Sequence, residues 1–158
     1  MRINICWLVV IGLLSGCASD HFRSVHGDVG QFILSKAVTF GGTPTATNAA
    51  LSSVRGWRYF EDEHGAVVHM APSDYPALEV FLLATFGEPR VGPKDTPEGG
   101  KWGMYRLTPV GGGIMFGRDS VDGTHVEVIR PLTRKESSDA VVRALKDKDV
   151  QKAVKEAP

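Results

Sequence analysis

Trp57-Arg58-Tyr59-Phe60-Glu61-Asp62-Glu63-His64-Gly65-Ala66-Val67-Val68-His69-Met70 is the stretch whose reading decides the fold. On either side of Asp62–Gly65 the side chains follow a period of two, the alternation of a half-buried strand. The four central residues, with Gly65 available for positive φ, read as the connection of a β-hairpin. Asp62, Glu63 and His64 crowd its tip, and carboxylate and imidazole are both suitable metal ligands. Charge at a hairpin tip is also what access to water alone produces, and neither a metal nor a cofactor is expected.

Downstream, the period changes. Pro76, with Ser73 or Asp74 at the cap, opens a helix that Gly87 and Pro89 close. Tyr75, Leu78, Leu82 and Phe86 form one stripe with Phe81 beside it, and Ala77, Val80 and Ala84 make the other side apolar too. This predicts a central core helix, covered on most of its surface and packed across a sheet. Glu88 to Gly100, rich in proline, glycine and charge, reads as a surface excursion, a mobile flap or a binding loop. Three strands follow, Lys101–Thr108, Ile114–Phe116 and Thr124–Arg130, joined by turns through Pro109–Gly113 and Asp119–Gly123 into an antiparallel meander. Gly111-Gly112-Gly113 lacks the helix N-terminus that a phosphate-cradling loop requires and reads as a turn. Pro131 ends the sheet. Ser137 or Ser138 caps a C-terminal helix with Val141, Val142 and Leu145 on one stripe and Val150, Ala153 and Val154 on another, broken at Lys146–Asp149. The fold class is α+β, an antiparallel sheet of hairpin plus three-stranded meander against a central helix, with a C-terminal helix.

Upstream, Thr43-Pro44 opens a short helix that stops at Gly56. Gln31–Phe40 leaves helix and strand open in its first half and reads as a strand end at Val38-Thr39-Phe40. Ala18–Gly30 has no apolar period and reads as a tether. The chain begins MRINICWLVVIGLLSGC, with Arg2 ahead of an apolar run from Ile5 to Leu14. That run is short for a membrane span of about 20 residues and suits the core of an export signal. Its end, Leu14-Ser15-Gly16-Cys17, resembles the lipobox of bacterial lipoproteins. The resemblance implies removal of residues 1–16, a lipid on Cys17 and a membrane attachment through it; Ala18 rather than aspartate after the cysteine implies the outer membrane over the inner. Cleavage without lipidation would leave Cys17 a free thiol. The organisation expected is leader 1–16, tether 17–30, α+β domain 31–133 and C-terminal helical segment 134–158.

Of the chain's 18 basic residues only Arg2 lies in the leader, and none of its 18 acidic ones does, so the exported part carries one net negative charge. That balance gives no strong attraction to nucleic acid or to an anionic surface. Cys6 leaves with the leader and Cys17 takes the lipid, which removes cysteine nucleophiles and thiolate metal sites from consideration.

For chemistry, His125 and Glu127 share a strand face, where the carboxylate would orient the imidazole, with Asp119 or Ser120 in the adjoining turn. His69 is the other histidine outside tether and tip. These residues define a small envelope hydrolase as one reading, although no nucleophile elbow or paired-ligand spacing accompanies them. For binding, Trp57, Tyr59, Trp102 and Tyr105 combine apolar area with a polar handle, as contact surfaces do, although each taken singly reads first as an ordinary core residue. A helix ending in Phe86-Gly87-Glu88-Pro89, a loop, then Trp102 and Tyr105 in the first of three strands is similar to the small lipoproteins of the outer-membrane assembly machinery. That resemblance covers Ser73 to Arg130, implies helices on a three-stranded antiparallel sheet, and carries over no functional residue. The favoured expectation is a lipid-anchored envelope protein that binds an envelope protein partner, as an accessory, inhibitor or assembly factor.

Overall fold

The structure, a computed structural model, describes residues 22–25, 27–119, 123–148, 152 and 155. The leader and Cys17, His21, His26, Ser120, Asp122, Val150, Ala153 and Val154 lie outside the described residues. The chain divides into two compact units, His21–Pro131 and a second comprising Met1–Asp20 with Leu132–Pro158.

The first unit is α+β. It runs β1 (Arg23–Val25), α1 (Val29–Thr39), β2 (Trp57–Glu61), β3 (Gly65–Met70), a short 3-10 turn (Pro72–Asp74), α2 (Tyr75–Phe86), β4 (Val91–Asp95), β5 (Lys101–Thr108), β6 (Gly111–Asp119) and β7 (Gly123–Ile129). All seven strands form one antiparallel sheet in the order β1-β2-β3-β7-β6-β5-β4. The hairpin and the meander are both present, and the pairing of β3 with β7 fuses them, from Gly65 opposite Ile129 to Met70 opposite Thr124. The sheet is thus wider than the three strands implied by the resemblance to assembly lipoproteins.

One face of this sheet is dry. Trp57, Val68, Ile114, Phe116, Val126 and Val128 meet Ile33 of α1 and Leu78 and Leu82 of α2 in a single cluster. Each fully buried side chain of this size stabilises the fold by about 1.5–3 kcal/mol relative to exposure. Gly30 sets how closely the helices approach, since a Cβ there would stand 2.7 Å from the Phe81 ring and 2.8 Å from the Leu51 amide nitrogen.

Several local expectations are corrected. Val38-Thr39-Phe40 is not a strand end, because α1 runs to Thr39. The helix starts where Asp28 caps it, its carboxylate accepting from the Gln31 amide at 3.0 Å. The tether reading of Ala18–Gly30 gives way over the described residues, since Arg23–Val25 pairs with β2 and α1 begins at Val29. Thr43–Gly56 holds no helix. Its threonines and serines are poor helix formers, and side chains of the flanking helices and of the loop itself satisfy the backbone instead. Asp28 also accepts from the Leu51 amide, Gln31 donates to the Ala49 carbonyl, and the Thr45 amide and hydroxyl donate to the Thr85 carbonyl. Leu51 and Val54 are buried by this docking.

α2 begins and ends as expected, with Gly87 at φ 76° beyond its last turn. Its covering is not as expected. Val80 is 68% exposed and Leu83 47%, with Pro76 and Ala84 exposed on the same side. Within Glu88–Gly100 the chain forms the edge strand β4. An edge tolerates Pro93, which has no N–H to give a ladder, and the register shifts between Val91 and Lys94. Gly111–Gly113 opens β6 after a two-residue turn at Pro109-Val110, so a strand and not a helix follows the glycines.

The described helix of the second unit is α3, Arg134–Lys146. Its cap is Thr133 rather than Ser137 or Ser138. The Thr133 hydroxyl accepts from the Glu136 amide and the Glu136 carboxylate accepts from the Thr133 amide, which satisfies both backbone donors. Val141, Val142 and Leu145 are 56%, 47% and 61% exposed. Among the described residues no helix is long and apolar enough to cross a membrane.

Candidate functional site

Strand alternation sends Thr124, Val126 and Val128 into the core, so His125, Glu127 and Ile129 point to the opposite face of the sheet, where all three are half-buried. Pairing then fixes their neighbours. His69 of β3 lies directly across from His125, with ring centres 6.2 Å apart, and Gly117 of β6 lies on the other side. A Cβ on Gly117 would come within 3.3 Å of the His125 imidazole, so glycine is what makes room for the ring. Glu127 stands between Val67 and Met115. Burial pushes its carboxyl above the ordinary 4.5, and the nearby His125 only partly offsets this.

The imidazole pair continues into an aromatic edge. Phe22 meets His69 edge-on at 4.9 Å and Phe60 at 6.3 Å, and the Arg58 guanidinium lies 5.8 Å from the Phe22 ring centre. The structure therefore gathers His69, His125 and Glu127 on one face. No hydrogen bond or ion pair joins His125 to Glu127 among the described residues, so the carboxylate does not orient the imidazole as a general base would need. Asp119 pairs with Gly123 two residues before His125, and Ser120 falls outside the described residues. Among the described residues no group of three or more metal-binding side chains is arranged to hold a metal ion. At the hairpin tip Asp62 is a turn former, its carboxylate accepting from the amides of His64 and Gly65.

The aromatic binding surface expected from Trp57, Tyr59, Trp102 and Tyr105 is corrected. Trp57 is 2% exposed, with its indole N–H donating to the Gly27 carbonyl at 2.9 Å, and it packs with Tyr59 against Phe32. Tyr105 lies in the core between Phe86 and Phe116, where burial pushes its phenol up to about 12. Register explains the split. Tyr105 and Tyr59 occupy inward positions, whereas Trp102 falls on the other face opposite Gly117 and stays half-exposed. Trp57 and Tyr105 thus take the core position that is the more ordinary one for each ring.

Sequence reasoning missed two features. The first is the exposed apolar side of α2, because an all-apolar helix reads as covered. The second is a cleft of about 610 Å³ lined by Gly27, Asp28, Ser52, Val54, Arg55 and Gly56. Its one carboxylate is already engaged by the amides of Gln31 and Leu51, so the cleft presents no acid–base pair. Comparison of the chain with protein-family models, with curated proteins and with solved structures finds no match in any of the three.

Proposed function

We propose that this is a lipid-anchored cell-envelope protein, held through Cys17 and favoured for the outer membrane, that acts by binding an envelope protein partner rather than by catalysis. The observation that carries the binding reading is the outward side of α2. Val80 and Leu83, with Pro76 and Ala84, place apolar side chains at helical spacing in water. The inward side of the same helix, including Leu78 and Leu82, is fully buried, so the outward side is not needed for the core. An apolar helix face that folding leaves exposed is what a docking partner covers.

The edges of the sheet support this choice of surface over strand addition. β1 has three residues, and β4 carries Pro93 and an irregular register, features that blunt an edge against further pairing. The test is a photo-crosslinking residue at Val80 or Leu83 in whole cells. One reproducible protein adduct is expected there and none at Thr39 on the exposed side of α1; absence of any adduct at both α2 positions contradicts the proposal.

A small envelope hydrolase using His125 and Glu127 is the second reading, favoured by the shared half-buried face and the raised carboxyl. His125→Ala separates the two. It abolishes a hydrolytic activity in the enzyme reading and leaves partner capture unchanged in the binding reading. Cys17→Ala tests the anchor, with loss of membrane fractionation expected and retained fractionation contradicting lipidation.

A further inference from the structure

We infer that α3 lies in the interface of the same bilayer that takes the lipid on Cys17, with Val141, Val142 and Leu145 turned into the headgroup region. The inference rests on the lipidation proposed above. Its starting point is where the chain enters and leaves the sheet.

Arg23 stands opposite Tyr59, and Phe22 is already against Phe60, so the chain enters beside the end of β2 that leads into the hairpin tip. From Cys17 to Phe22 an extended chain spans about 18 Å at most, which keeps that end of the sheet close to the anchor. The exit is fixed at the same end. The Arg130 amide donates to the His64 carbonyl at 3.0 Å and its Nε to the Glu63 carbonyl at 2.6 Å, holding the chain at the β2–β3 tip. Arg134, the first residue of α3, follows four positions later, within about 14 Å by chain length. The chain therefore enters and leaves the sheet at the same, tip, end. Of the acids at that end, Glu61 pairs with Lys36, Glu63 lies 3.4 Å from the His64 imidazole, and Asp62 accepts from the turn amides.

The chemistry of α3 suits a lipid surface. Its exposed Val141, Val142 and Leu145 are interleaved with exposed Arg143 and Lys146, and Arg134 and Lys135 lie in its first turn. Those four basic residues face two acidic ones, Glu136 and Asp139, which leaves the helix cationic. Apolar side chains beside a basic fringe are the composition of helices that lie in an anionic interface. Charge favours lipid over a protein groove, since α3 carries four basic residues whereas the exposed apolar side of α2 belongs to a helix with none. Three apolar side chains alone would hold a bilayer only weakly. They suffice to bias a helix whose tether already holds it at high effective concentration near the bilayer.

The experiment uses the lipidated full chain with Val142→Cys carrying a polarity-sensitive fluorophore, floated with phosphatidylglycerol-containing or pure phosphatidylcholine vesicles. Expected are a blue-shifted emission and quenching by bilayer-buried quenchers with phosphatidylglycerol. The quenching falls at least fivefold in Arg143→Glu/Lys146→Glu, while a label at Thr39→Cys stays aqueous throughout. A chain that floats with an aqueous label at position 142 overturns the inference and leaves the anchor standing. Shielding that instead grows with protein concentration in detergent assigns the face to a second copy and also overturns it. A second reactive thiol at Cys17 with failure to float contradicts the anchor reading. The label is then read in a Cys17→Ser background with excess phosphatidylglycerol vesicles, where no blue shift overturns the inference.

Discussion

Thr124, Val126 and Val128 are fully buried, whereas His125, Glu127 and Ile129, at alternate positions of the same strand β7, keep partial contact with water. The two sides obey different rules. On the inner side Val126 and Val128 meet apolar neighbours, and Phe116 and Ile114 across the ladder are as buried as the valines they oppose. On the outer side two imidazoles and a carboxylate sit among Val67, Met115 and Phe22, and one of them is desolvated at a cost. Folding alone accounts for the inner side, while the outer side carries groups that an optimally stable sheet would not place there.

The largest effect separates the two sides directly. Phe116→Ala opens a cavity among Tyr75, Tyr105 and the core valines and is expected to cost about 3–5 kcal/mol in urea unfolding. Met115→Ala, one residue away on the outer side, is expected to cost less than about 1 kcal/mol. Equal losses would mean that the outer side is as closely packed as the core. Smaller is Gly30→Ala. Its new methyl must displace the Phe81 ring or the Leu51 backbone, for about 1–3 kcal/mol of destabilisation.

Smallest, and opposite in sign, is Glu127→Gln. Burial raises the folded-state carboxyl above 4.5, so the native protein binds more protons than the unfolded chain just above that value. Stability therefore falls as pH rises from 4.5 through the raised pKa and stays lowered beyond it. Glutamine removes the penalty. The variant is expected to melt higher than the parent at pH 7 and to match it well below pH 4.5, and a lower melting point at pH 7 would show that the ionised carboxylate has a stabilising partner.

The elements were legible wherever the chain carries its own punctuation. The period of two around Asp62–Gly65 marked β2 and β3, and Pro76 and Gly87 bracketed α2. Two helix starts carry the same kind of punctuation. Asp28-Val29-Gly30-Gln31 and Thr133-Arg134-Lys135-Glu136 both place a capping side chain three residues before Gln or Glu. The junction of β3 with β7 was not legible, because it joins residues some sixty positions apart and nothing local in either strand names its partner. The same limit applied to the site. Alternation alone put His125 and Glu127 on one face, but the arrival of His69 opposite His125, and of Val67 and Met115 around Glu127, depended on pairings that only the folded sheet supplies. Exposure of Val80 and Leu83 was hidden for the reverse reason, since α2 is apolar all round and its sequence does not distinguish a covered side from an open one.

The central claim is that the protein works through an apolar face that its own fold leaves open. The most direct measurement compares partner capture by the parent with that of Val80→Glu/Leu83→Glu in whole cells, using cross-linking and mass spectrometry, with thermal unfolding run on the same variant. The account predicts that the captured partner is lost while the melting temperature stays within a few degrees, as surface changes allow. Undiminished capture by a folded double variant would contradict it.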